Sequence, residues 1–108
     1  MANPEHLKIL KQGVEQWNKW RKECPEINPD LSGVRLGAAN LRAANLNDVN
    51  LTKSTLRGAT LRGAHLRRAV LDDAVLRGVS LRGAHLFKAS LRGADLHAAH
   101  LQGGPISA

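Results

Sequence analysis

The chain has 108 residues, which is enough for one domain and too few for two. Aromatic residues are almost absent, with two Trp, one Phe and no Tyr, so an interior must be filled by aliphatic side chains. The net charge of +7 leaves a basic surface, and the single Cys24 excludes an internal disulfide. No stretch is apolar enough for a signal peptide or a membrane span, so we expect a cytoplasmic protein that makes no contact with membranes.

Residues 1–29 predict one amphipathic helix followed by a linker. Asn3 is a suitable N-cap with Pro4 at the first helical position, and Pro25 ends the helix. Gly13 weakens the helix by about 1 kcal/mol relative to Ala. Apolar residues recur at helical spacing and form a stripe that should cover the neighbouring segment: Leu7, Leu10, Val14, Trp17 and Trp20.

A leucine occupies every fifth position from Leu31 to Leu101, fifteen times without an exception. Two residues before each leucine stands a small residue; from Val34 to Ala99 these are ten Ala, three Val and Ser54. A helix or a strand with a period of five would scatter these residues over several faces. A backbone that turns a corner every five residues points all of them inward. Four corners close a coil of about twenty residues, and successive coils stack at β-sheet spacing.

The triplets Ala39-Asn40-Leu41, Ala44-Asn45-Leu46 and Ala94-Asp95-Leu96 resemble the Ala-(Asp/Asn)-Leu-X-X signature of the pentapeptide-repeat family. The resemblance implies an all-β solenoid, a right-handed quadrilateral β-helix of about four coils over residues 30–106, with residues 107–108 as a tail. The leucines that should fill its core are Leu36, Leu41, Leu46, Leu51, Leu56, Leu61, Leu66, Leu71, Leu76, Leu81, Leu86, Leu91 and Leu96.

The two ends of a solenoid need caps, because each coil buries its apolar side chains only against its neighbours. We expect the N-terminal helix to cover the first coil. Residues 102–108 contain two Gly and one Pro and offer no comparable cap. An uncovered last coil exposes unpaired edge groups, so the protein should be a monomer or an end-to-end dimer through its C-terminal coil.

A repeat of twenty residues aligns arginines along the solenoid. Arg42, Arg62 and Arg82 should stack on one side, and Arg57 and Arg77 on the side before it. Two interpretations stay open. These five residues are an interaction surface for phosphate or an acidic protein, or they are a solvated surface that keeps an aliphatic solenoid in solution.

Metal binding and catalysis find little support in the sequence. His65 and His85 stand twenty residues apart and should stack, but no third ligand accompanies them, so we expect no metal site. The chain has no nucleophile elbow and no glycine-rich phosphate loop, and a core packed with Leu and Ala leaves no substrate cavity. We therefore expect no enzyme, no catalytic residue and no cofactor.

The function favoured by the sequence is a protein-interaction scaffold whose partner is unidentified. The alternative is weak, nonspecific binding of nucleic acid or another polyanion through the arginines. The resemblance adds a third hypothesis, a DNA mimic that binds a topoisomerase. Such mimicry needs an acidic surface, whereas residues 31–108 hold eleven basic residues, four Asp and no Glu.

Overall fold

The computed structural model describes residues 2–101, and it contains two helices where the sequence predicted one. Helix α1 spans Pro4–Lys11 and helix α2 spans Val14–Glu23. Asn3 is the N-cap of α1, since its Oδ1 accepts a hydrogen bond from the Glu5 amide at 2.9 Å. The single-helix prediction is wrong because Gly13 does more than weaken the helix. Its φ of 111° lies in a region that only glycine adopts readily, and it redirects the chain between the helices.

The rest of the described chain is a solenoid with a period of twenty residues. Eleven parallel β-bridges join residues twenty apart, from Asp30–Asn50 to Ser80–His100, and each is isolated, not part of a longer strand. The bridges form four columns in each coil of twenty residues, and we call the five residues that begin at each bridge a side. Side 1 begins at Asp30, side 2 at Arg35, side 3 at Asn40 and side 4 at Asn45, and each recurs in every coil. The right-handed sense and quadrilateral section stay predictions.

Each five-residue unit is closed by a tight turn. The amide three residues after a leucine donates to the leucine carbonyl, as from Ala59 to Leu56 at 2.9 Å. The second residue after each leucine has a positive φ, between 57° and 72°, at all fourteen turns between Gly33 and Ala98. Glycine occupies six of these positions and eight are held by other residues. The glycines beside the arginines, such as Gly58 and Gly63, therefore serve the turns.

The interior is aliphatic. Of the leucines predicted to form the core, those from Leu36 to Leu86 are buried, together with Leu31. Leu91 and Leu96 are only half-buried, and Leu101 is 43% exposed, because no following coil covers them within residues 2–101. The C-terminal dimer stays a prediction, and residues 102–108, including the proposed end of the solenoid, lie outside the described part of the chain.

The two helices cover the start of the first coil, residues 30–49. Leu10 and Trp17 are buried against it, while Leu7, Val14 and Trp20 are half-buried at its edge. These apolar contacts are only one of the two kinds of interaction that hold the helices on the first coil; the other is hydrogen bonding.

Side chains of α2 also form hydrogen bonds with backbone carbonyl and amide groups of side 4 in the first coil. Trp17 Nε1 donates to the Asn45 carbonyl at 2.7 Å, and Arg21 donates to the carbonyls of Asn45 at 3.0 Å and Asn47 at 2.8 Å. The amide of Asn45 donates to Asn18 Oδ1 at 2.7 Å. Helix α2 thus supplies the hydrogen bonds that a preceding coil would have supplied.

A matched pair of substitutions tests the positive-φ turns. Ala38 and Gly58 hold the same turn position on side 2 in successive coils, with φ of 59° and 71°. Ala38→Gly should raise the free energy of unfolding by about 0.5–1 kcal/mol, because the left-handed conformation strains a Cβ-bearing residue. Gly58→Ala should lower it by a similar amount, since no atom lies within 4 Å of the added Cβ. Urea denaturation measures both, and shifts of the same sign would contradict the explanation.

Arg21 should matter more to stability than its neighbour Lys22. Arg21 is 7% exposed, and Arg21→Met should cost about 2 kcal/mol by removing the donor for the Asn47 carbonyl. Lys22→Met, one position along the same helix and exposed, is the control. Thermal unfolding followed by circular dichroism compares them, and equal melting temperatures would show that the cap depends on apolar contact alone.

Candidate binding surface

Side 3 presents a column of three arginines. Arg42, Arg62 and Arg82 each follow a buried leucine, so the backbone turns their side chains outward, and all three are exposed. They belong to successive coils, which places their backbones about 4.8 Å apart. A shallow cleft of about 440 Å³ lies on one flank of this column beside Gly63 and Gly83.

A second cleft of about 420 Å³ lies on the other flank, lined by Thr60, Ser80 and His100. The Thr60 hydroxyl has no hydrogen-bond partner within residues 2–101. The surface around the column thus offers the Ser80 hydroxyl and an imidazole beside the guanidinium groups, whereas the Thr60 hydroxyl oxygen is buried.

The charge of side 3 is uncompensated. In the described chain this side carries no Asp or Glu, and none of its three arginines has a carboxylate oxygen within 4.0 Å. We call Arg42, Arg62 and Arg82 the side 3 arginines. Three cations in line without a counter-charge attract anionic groups at short range.

The other two arginines of the predicted surface differ from these. Arg57 and Arg77 lie on side 2, and Arg77 Nε pairs with Asp95 Oδ2 at 2.6 Å. This hydrogen bond, together with one from the His97 amide, holds the pKa of Asp95 below its usual range. The sequence correctly aligned Arg57 with Arg77, but it did not indicate that Asp95 neutralises one of them, because Asp95 stacks on Val75 and Arg77 reaches it diagonally across adjacent coils.

Side 4 is also partly neutralised. Arg68 makes two hydrogen bonds to Asp48 in the coil before it, at 2.7 and 3.0 Å. The pair lowers the pKa of Asp48 and raises that of Arg68. Phe87 is 41% exposed on the same side, with the Lys88 ammonium 5.4 Å from its ring centroid.

His65 and His85 stack on side 4 as their spacing predicts. Their rings are parallel within 5° and their centroids lie 5.0 Å apart. The pKa of His65 is lowered, chiefly by partial burial and then by His85 and Arg67. Between residues 2 and 101 no group of three His, Cys, Asp or Glu side chains is placed to hold a metal ion. In the same range no helix is long and apolar enough to cross a membrane.

The sequence model for pentapeptide repeats matches residues 30–68 and 64–103, in eight copies. The chain belongs to the pentapeptide-repeat family. Members of this family are generally structural and not catalytic. No curated protein sequence matches this chain.

Solved structures of other pentapeptide-repeat proteins resemble this one. Rfr23 from the cyanobacterium Cyanothece 51142 is 30% identical with a TM-score of 0.68, over 70% of this chain and 52% of that one. HetL, involved in heterocyst differentiation regulation in the cyanobacterium Nostoc sp. strain PCC 7120, is 36% identical over 75% of this chain and 40% of that one, with a TM-score of 0.44. This chain therefore spans about half the length of Rfr23 and less of HetL.

The stacked histidines predict a stability that falls on mild acidification. Because the pKa of His65 is lower in the folded state than its ordinary value of about 6.5, the unfolded chain takes up a proton first. The free energy of unfolding should therefore decrease as the pH falls below about 6.5. His65→Asn, which copies Asn45 in the same column, should make this decrease shallower.

His97→Asn, at an exposed position on side 2 outside the histidine stack, is the control substitution. Urea denaturation at a series of pH values between neutral and mildly acidic conditions measures the slopes. Identical slopes for all three proteins would contradict a contribution of the histidine stack.

Proposed function

We propose that this pentapeptide-repeat protein is a non-enzymatic binding module whose side 3 arginines engage an acidic surface on a protein partner. The observation that carries the proposal is the alignment of three exposed arginines on the one side that lacks carboxylates among residues 30–101. Arginine suits this role because its planar guanidinium binds a carboxylate through two parallel hydrogen bonds.

The backbone beneath the side 3 arginines is rigid, which favours binding. Adjacent coils are joined on both flanks of each arginine: the Leu41 amide donates to the Thr60 carbonyl at 2.9 Å, and the Ala43 amide donates to the Arg62 carbonyl at 3.0 Å. The same pattern recurs between the next two coils, where the Leu61 amide donates to the Ser80 carbonyl at 2.7 Å. A preorganised surface loses little conformational entropy when a partner binds.

Within residues 30–101, three successive coils carry arginine at the position after the leucine only on side 3; side 2 has two such residues, Arg57 and Arg77, and Arg77 is paired with Asp95. The residue that follows the leucine is Asn47, Arg67 and Phe87 in successive coils of side 4, and side 1 begins with Ser32 and Thr52 at the same position. Like charges one coil apart repel, at a cost of up to about 1 kcal/mol per pair. A surface required only for solubility avoids that cost by scattering its charges, so the alignment supports a binding role.

A second candidate, favoured by the linear arrangement of the arginines, is binding of a nucleic-acid backbone or another polyanion. Stacking of bases requires aromatic side chains on the binding surface. Phe87 lies on side 4, and the described part of side 3 has only His100 as a ring. We therefore rank an acidic protein partner above nucleic acid.

Two triple variants with the same net charge test the proposal. Arg42→Glu/Arg62→Glu/Arg82→Glu reverses side 3, whereas Arg57→Glu/Arg67→Glu/Arg92→Glu reverses three exposed arginines on three other sides. Both are first shown to fold by circular dichroism. Each protein is then immobilised as bait for a nuclease-treated lysate of the native cells, and retained proteins are identified by mass spectrometry. We expect a defined set of acidic proteins on the unsubstituted bait and the scattered variant, lost from the side 3 variant. Equal retention by all three baits would contradict the proposal.

The unsubstituted protein and the two triple variants also distinguish polyanion binding from binding of an acidic protein. Each is titrated with duplex DNA and with heparin at low and at physiological salt. Under the leading proposal, binding at physiological salt is weak and equal for both triple variants. Tight binding that falls steeply with salt and is lost only in the side 3 variant would establish polyanion binding instead, because counterion release governs such complexes.

A further inference from the structure

The first coil has an open hydrogen-bonding edge that the helical cap does not cover completely. Between complete coils the pattern on side 2 is regular. The Thr55 amide donates to the Val34 carbonyl at 2.9 Å, and the amides of Leu36 and Ala38 donate to the carbonyls of Thr55 at 2.7 Å and Arg57 at 2.8 Å. Within the fold, the equivalent groups of the first coil could bond only to residues that precede it, and where none does they face solvent.

The cap replaces a preceding coil on two of the four sides. On side 1 the Asn3 amide donates to the Asp30 carbonyl at 2.9 Å, and the Asp30 amide donates to His6 Nδ1 at 3.0 Å. On side 4 the side chains of α2 bind the backbone of Asn45 and Asn47 as described above. Both sides are therefore closed to a further chain.

Side 2 of the first coil is open. The amide and carbonyl of Arg35 and the carbonyl of Gly37 have no hydrogen-bond partner within residues 2–101, and both residues are exposed. Their counterparts one coil later, in Thr55 and Arg57, are bonded to the first coil. An exposed edge with free donors and acceptors in this arrangement is the template to which an extended peptide adds as a β-strand.

A cleft of about 910 Å³ adjoins this edge, between α1 and the corner where side 1 meets side 2. Apolar atoms of Ala2, Pro4, Leu7 and Val34 line part of it. Its charged lining residues are all basic, and they are Lys11, Arg35 and Lys53. None of the three has a carboxylate oxygen within 4.0 Å in the described chain. The chemistry suits a ligand with apolar groups flanked by carboxylates.

We propose that an extended, acidic and apolar peptide segment of a partner protein binds here. The segment pairs with the backbone of Arg35 and Gly37, places an apolar side chain in the cleft and brings carboxylates beside Lys11 and Lys53. Backbone pairing supplies affinity and the cleft supplies selectivity for side chains, as in other cases of strand addition. This site is separate from the side 3 arginines and does not depend on their function.

A fluorescein-labelled, end-capped peptide of alternating Asp and Val is the probe, and fluorescence anisotropy measures its binding. Lys11→Glu/Lys53→Glu should weaken binding by about tenfold or more, since two attractive charge contacts become repulsive. Lys8→Glu/Lys88→Glu is closely matched. Lys8 and Lys11 both lie in the last turn of α1. Lys88 and Lys53 both occupy the positive-φ position of a turn, each with a φ of 59°. This control should bind the probe like the unsubstituted protein.

A second probe with alternate backbone nitrogens methylated tests strand pairing itself. It keeps the charges and side chains but cannot donate to the Arg35 and Gly37 carbonyls, so its affinity should fall by about tenfold. The Arg35 amide resonance should shift in the complex with the first probe. Failure of the first probe to bind at millimolar concentration, equal binding by the two lysine variants, or equal binding of both probes would each overturn the proposal. Arg62→Glu/Arg82→Glu should bind the first probe normally, which separates this site from side 3.

Discussion

The backbone hydrogen bond between residues twenty positions apart is the interaction on which the rest of this structure depends. It joins each coil to the next, as between Leu41 and Thr60 or Leu61 and Ser80, and it stacks every residue type on its counterpart one coil away. The leucine and the small residue of each repeat point inward only because the chain turns between these bonds. The positive φ at each turn is a strain that the ladder sustains, even at eight positions without glycine.

A ladder of this kind has two ends, and they differ. At the N-terminal end α2 imitates a coil with side chains: Trp17, Asn18 and Arg21 occupy the donor and acceptor positions of side 4. Burial of a guanidinium stabilises only where its donors find acceptors. The carbonyls of Asn45 and Asn47 accept from the two terminal nitrogens of Arg21, while its Nε has no partner within residues 2–101. At the other end, apolar burial declines through Leu91 and Leu96 within the described residues. The cap leaves side 2 open, which is the feature behind the proposed peptide site.

Register also organises the surface, because stacking aligns whatever charge a repeat carries. On side 3 it produces three arginines with no acid, and this is the basis of the proposed binding function. On side 4 the same register pairs Arg68 with Asp48, so the identical geometry neutralises charge where the sequence alternates sign. The fold therefore does not determine the function by itself. The residues that follow each leucine decide what a side can bind.

The sequence by itself determined the coil. A leucine at every fifth position is buried throughout only if the backbone turns a corner every five residues. Four such turns give a repeat of twenty residues, which correctly aligned the side 3 arginines and stacked His65 on His85. Tertiary structure alone decided the break at Gly13, the role of Arg21 and the pairing of Arg77 with Asp95. These features depend on which backbone groups lie opposite a given side chain after the helices pack on the first coil. A periodic pattern specifies position along a repeat, whereas such contacts arise where the repeat ends or where side chains reach between coils.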